Sequence, residues 1–96
     1  MQIKFLPPAQ RELDAAVNYY NKEQPELGDA FLNEVLKSLE LIGELPLAWP
    51  KLSRRTRRCI IKQFPYYLVY QVRQEEIIIV AIAHFHRQPN YWNDRL

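Results

Sequence analysis

Tyr66-Tyr67-Leu68-Val69-Tyr70-Gln71-Val72-Arg73-Gln74-Glu75-Glu76-Ile77-Ile78-Ile79-Val80-Ala81-Ile82-Ala83 is the stretch that decides the fold. As far as Arg73 it is almost entirely aromatic or β-branched, the residue types that fit a pleated, half-buried surface, so it reads as a strand. Gln74-Glu75-Glu76 is polar and short enough to close a hairpin. Ile77 to Ala83 is apolar without interruption, as expected of a central strand covered on both faces. Helices can cover one face; the other needs a partner or neighbouring side chains. Seven residues are too few to cross a bilayer as a helix.

Working upstream, Arg58 to Phe64 alternates, with Cys59 and Ile61 on one face and Ile60, Lys62 and Phe64 on the other. That period of two predicts a partly buried strand, ended by Pro65. Glu44 to Arg57 carries Pro46 and Pro50 and reads as an irregular connection, with Trp49 packing on the helices. Before it lie two helical stripes. Ala9, Leu13, Ala16, Val17 and Tyr20 follow Pro7-Pro8, residues suited to a first turn, and the opposite face holds Gln10, Arg11, Glu12, Asp14 and Asn18. The second helix is expected to open at Pro25-Glu26, with a stripe of Leu27, Phe31, Val35, Leu39 and Ile42 widened by Leu32 and Leu36. Gly43 is the expected left-handed position just past its end. So few residues separate the two helices that they should form an antiparallel hairpin. Ile3-Lys4-Phe5 is a short strand ahead of them.

The order is therefore β-α-α-β-β-β, an α+β two-layer fold. The αα hairpin lies on one face of a sheet whose last three strands form a mainly antiparallel meander. Ninety-six residues, 48% hydrophobic and 25% charged, suit one globular domain spanning residues 1–96. Met1 to Pro8 lacks the basic and apolar regions of a signal peptide, so a cytoplasmic location and no membrane partner are expected. A lone cysteine cannot form an internal disulfide, and Cys59 on a strand reads as a small core hydrophobe.

Charge is unevenly divided. Residues 1–50 hold four Lys or Arg against eight Asp or Glu, whereas residues 51–96 hold nine against three. The basic half suggests an anionic partner, nucleic acid or an acidic protein segment, set against the plain alternative of a solvated charged surface. Arg54, Arg55, Arg57, Arg58, Lys62 and Arg87, with Tyr91 and Trp92, are the candidate contacts. His84, His86, Arg87 and Tyr91 could supply acid–base chemistry if they converge on a phosphate. His84 and His86, two apart on a strand, would share a face, but no third ligand accompanies them and no metal or other cofactor is expected. Ser38 and Ser53 lack a nucleophile's surroundings. Past Pro89 the tail should dock through Tyr91 and Trp92.

In this order of elements the chain resembles the RelE/ParE superfamily of toxins from type II toxin–antitoxin pairs. The markers are Tyr19-Tyr20, Pro25-Glu26-Leu27-Gly28, Arg57-Arg58, Pro65-Tyr66 before Tyr70, and the ending Ala81-Ile82-Ala83-His84-Phe85-His86-Arg87-Gln88-Pro89-Asn90-Tyr91-Trp92. The resemblance implies a cytosolic growth inhibitor held in a heteromeric complex by an acidic antitoxin. It further implies one of two activities. A ParE-like toxin poisons DNA gyrase without catalysis, and the ending and the lysine-poor connection favour that branch. A RelE-like toxin cleaves mRNA on the ribosome, with Arg87 stabilising the phosphorane and His84, His86 or Tyr91 moving a proton. A reading from another class is a non-toxic adaptor that captures a peptide along its sheet.

Overall fold

The computed structural model describes residues 1–96. Its elements are β1 (Gln2–Phe5), α1 (Pro7–Glu23), α2 (Leu27–Glu44), β2 (Arg57–Ile60), β3 (Tyr66–Arg73) and β4 (Glu76–His84), followed by a single 3-10 turn at Asn93–Arg95. The expected β-α-α-β-β-β order is therefore present. The four strands lie in the order β1-β4-β3-β2, with β1 parallel to β4 and the other pairs antiparallel. The apolar run Ile77–Ala83 is thus central and wholly buried. No helix is long and apolar enough to cross a membrane.

The helices cover one face of the sheet. Phe31, Val35 and Ile42 from α2 and Ala9, Leu13 and Ala16 from α1 meet Leu68, Tyr70, Ile77 and Ile79 in the main core. Each large apolar side chain so covered contributes about 1.5–3 kcal/mol relative to exposure. Cys59 is buried in the same core, and burial pushes its thiol pKa up, as befits an inert residue. Close approach of the helices depends on Gly28. A Cβ there would overlap the carbonyl oxygen of Val17 and the side chain of Asn21, and the Gly28 N–H donates to Asn21 Oδ1 at 2.6 Å.

Several boundaries differ from expectation for local reasons. Pro25 and Glu26 form the turn between the helices, with Glu26 left-handed at φ 70°, so α2 begins at Leu27. Gly43 lies inside α2, which continues to Glu44. Leu36 is 52% exposed, and the small Ser38 occupies the buried stripe in its place. β2 ends at Ile60. A left-handed residue, Gln63 (φ 71°), then turns Phe64 back into the helix-side core, where its ring meets Tyr20 and Phe31 at 5.1 Å. His86 is not on a strand, because β4 ends at His84 and a turn follows.

A β-bulge interrupts the pairing of β3 with β4. Tyr70 pairs with Ile79 and Val69 with Ala81, so Val80 has no partner. One extra residue reverses the side-chain alternation beyond it. Ile77 and Ile79 face the helices before the bulge, Val80 and Ala81 turn away, and Ile82 faces the helices again. His84 follows Ile82 onto the helix side, where its ring meets Tyr66 at 5.0 Å.

The second face of β4 is expected to need a partner or neighbouring side chains, and over part of its length the docked tail supplies the latter. Trp92 is fully buried against Val69, Val80 and Ala81, with Leu6, Leu52, Tyr67 and Tyr91 around it.

Candidate functional site

The docked tail is built on a gap in the sheet. β1 pairs with β4 only as far as Phe5 opposite Ile79, and then Pro7 and Pro8, which have no N–H, start α1. Beyond Ile79 that edge of β4 has no strand beside it. Buried backbone groups left there must find other partners. The Ile82 N–H donates to Glu12 Oε1 at 3.0 Å, and Arg95 Nη1 donates to the Val80 carbonyl at 3.0 Å. Arg95 also grips Glu12 through Nη1–Oε1 and Nη2–Oε2, both 2.9 Å, and the Tyr91 hydroxyl donates to Glu12 Oε2 at 2.7 Å.

Burial by itself would raise the Glu12 pKa, but the Arg95 fork, the Tyr91 hydroxyl and the Ile82 N–H together hold it below its ordinary value. Tyr91 moves the other way, pushed far above the usual phenol range by burial and by donating to the Glu12 carboxylate. Its ring also carries the guanidinium of Arg87 at 3.8 Å and that of Arg95 at 5.0 Å. A phenol held in this way is a poor proton shuttle near neutral pH. Trp92, fully covered, presents no surface to a partner.

The remaining candidates fall into three places. Arg54, Arg55 and Arg57 line a cleft of about 300 Å³ between the loop before β2 and the end of β3. Arg57 has a structural task there: its Nη1 donates to the carbonyls of Leu47 (3.2 Å) and Trp49 (2.8 Å), pinning the connection to the sheet. Arg58 and Arg87 flank a separate groove of about 410 Å³ on the sheet face away from the helices, floored by Leu52, Ile60, Tyr67 and Phe85. Ile60 is 57% and Phe85 49% exposed, which leaves an apolar floor between two cations. His84 lies in a third hollow, about 350 Å³, with Tyr19, Tyr66 and Arg87. His86 remains close, its ring 5.0 Å from that of His84 and its N–H donating to His84 Nδ1 at 3.0 Å. Lys62 is exposed beyond the end of β2 and lines none of the three.

Arg87 is thus the one candidate cation that shares a hollow with His84. Sequence reading missed Glu12 and Arg95, because a glutamate on the polar side of an amphipathic pattern looks solvated and a penultimate arginine looks free. It also missed Lys51 and Arg73 in the basic cleft, since they come together only when β3 and the loop pack side by side.

A strand, a helix hairpin and a meander, in that order, are the arrangement in which the sequence resembles the small RelE/ParE-type toxins. The model of the ParE toxin of the type II toxin–antitoxin system parDE matches residues 3–89, and the chain belongs to that family. It is 29% identical over 80 residues to Toxin ParE2 of Mycobacterium tuberculosis, in two strains, over 82% of this chain and 76% of the relative. Its fold matches a chain from the chromosomal ParDE toxin–antitoxin system of P. aeruginosa with a TM-score of 0.76 and 19% identity. That match covers 88% of this chain and 95% of the other.

Proposed function

We propose that this ParE-family toxin acts in the cytoplasm as an inhibitor of DNA gyrase and does not cleave RNA. The observation that carries the reading is how few cations stand with the proton carriers: Arg87 alone shares a hollow with His84, while Arg54, Arg55 and Arg57 line a different cleft. The basic cluster, the histidines and Tyr91 do not share a cleft, and the Tyr91 hydroxyl is spent on Glu12. A phosphoryl-transfer site needs its cations and proton carriers around one phosphate.

The neutralising partner is an antitoxin whose acidic segment lays apolar side chains on Leu52, Ile60, Tyr67 and Phe85. Arg58 and Arg87 flank that floor and would meet its carboxylates. A disordered segment of this kind orders on binding. Complex formation should therefore add hydrogen-exchange protection to β2 and to residues 85–89, and unchanged exchange there would count against this groove.

Induced expression should trap gyrase on cleaved DNA and leave mRNA intact. Site-specific cuts in ribosome-bound transcripts, lost in Arg87→Ala and in Tyr91→Phe, would reverse the assignment to a nuclease. Growth arrest on induction separates either toxin from a peptide-binding adaptor.

A further inference from the structure

The cleft beside the end of β3 has a composition unlike that of the groove. Lys51, Arg54, Arg55, Arg57 and Arg73 line it, and no acidic residue does. None of the five is in an ion pair; the three ion pairs of the chain are Lys4–Glu76, Lys37–Glu34 and Arg95–Glu12. Arg57 is engaged by the Leu47 and Trp49 carbonyls, which leaves four uncommitted cations.

The opening has a topological origin. β2 begins at Arg57 opposite Tyr70, so Gln71, Val72 and Arg73, paired with β4 on one edge, extend past β2 with no strand on the other. Gln71 adds a second, independent observation. The residue is 7% exposed and lines the cleft, and its side chain makes no hydrogen bond within the protein, yet its amide is not sealed from solvent. A buried polar group normally has a partner. Here the unpartnered amide belongs to a residue that lines the same cleft as the four free cations.

We propose that this cleft binds the phosphodiester backbone of nucleic acid. Guanidinium forks match phosphate oxygens, and the Gln71 amide adds a neutral donor at the floor. Tyr70 and Thr56 offer little else, since their hydroxyls are already bonded to the Pro46 carbonyl and to Ser53. An acidic peptide is the poorer fit. It needs several apolar anchors as well as charge, and this cleft offers one exposed large apolar side chain, Leu47, whereas Ile60 and Phe85 lie in the other groove. A duplex strand delivers one charge about every 3.4 Å without any such anchor.

The site does not depend on the gyrase reading, and its test uses nucleic acid and the purified toxin alone. Fluorescence anisotropy of a labelled DNA duplex, and of single-stranded DNA and RNA of equal length, should show binding that weakens with salt. Each neutralised phosphate contributes a slope of about −0.9 in log K against log salt, so the four free cations give about −3.6 on the duplex. Arg54→Gln with Arg73→Gln should flatten that slope by about 1.8 units. Arg11→Gln with Lys22→Gln, exposed cations on α1, should leave it unchanged. Gln71→Leu, similar in size, should weaken binding several-fold at an unaltered slope, because the lost group is a neutral donor. The preferred probe of the three names the polymer. The proposal is overturned if no probe binds, if the α1 pair flattens the slope as much as the cleft pair, or if the cleft variants bind every probe as the parent does.

Discussion

Glu12 and Arg95, 83 positions apart, meet in a two-pronged ion pair at 2.9 Å on each prong, and together they satisfy the Ile82 N–H and the Val80 carbonyl on the unpaired edge of β4. The pair therefore substitutes for a missing strand. It also ties the last residues of the chain to the first helix, holding Trp92 over the second face of the sheet.

Removing one member should be costly. Glu12→Leu leaves the Ile82 N–H unpaired and the Arg95 charge with only the Val80 carbonyl, and breaking such a pair costs about 3–5 kcal/mol. With 16% and 18% of the two side chains exposed, the lower end applies. Arg95→Met should cost a similar amount. In the double variant the loss should be clearly smaller than the sum of the single losses, as read from urea unfolding midpoints. Strict additivity would mean that the two side chains act independently.

Acid should loosen the tail through the same carboxylate. Glu12 is held below its ordinary 4.5, so between that value and the folded pKa the unfolded chain binds more protons and stability rises with pH. The contribution is fully present above about pH 4.5 and is lost as pH falls through the lower, folded value. Trp92 fluorescence, measured in a Trp49→Phe background, should shift towards that of exposed indole as this happens. Glu12→Gln should remove the Glu12 part of the acid dependence, and an acid transition identical to that of the parent would rule the carboxylate out.

The basic stretch should divide into structural and free arginines. Arg57→Gln gives up two hydrogen bonds to the Leu47 and Trp49 carbonyls and should lower stability by about 1–2 kcal/mol. Arg54→Gln and Arg55→Gln, both exposed, should stay within about 0.5 kcal/mol of the parent. Thermal melts of the three single variants decide this, and equal melting temperatures would show that Arg57 holds nothing in place.

Gly28→Ala should be one of the more damaging small substitutions in the molecule. Its Cβ would strike the Val17 carbonyl, a backbone atom that cannot rotate away, so α1 and α2 must separate. Overpacking of this kind costs about 1–3 kcal/mol, despite the better helix propensity of alanine. Gly43→Ala, where a Cβ meets only Ile3 Cδ1 at 3.9 Å, should be neutral or stabilising by comparison. The same ranking in guanidinium midpoints would support the steric account, whereas equal effects would point to backbone entropy alone.

The sequence by itself determined the order of elements, the two-layer architecture and the central place of Ile77–Ala83. Those follow from local pattern: helical and strand periods, prolines that forbid continuation, and a run too apolar to lie at an edge. The ends of the elements were less legible, because Glu26 and Gln63 take left-handed conformations that nothing in their side chains announces. Only the tertiary structure decided which polar residues act together. The bulge at Val80 sets the face on which His84 lies, and the end of β1 at Phe5 creates the gap that Glu12 and Arg95 fill. The late start of β2 opposite Tyr70 leaves Gln71 in one cleft with Lys51 and Arg73. Each is a question of where one strand ends relative to another. That relation is set by long-range packing, so residues distant in sequence carry no local sign of it.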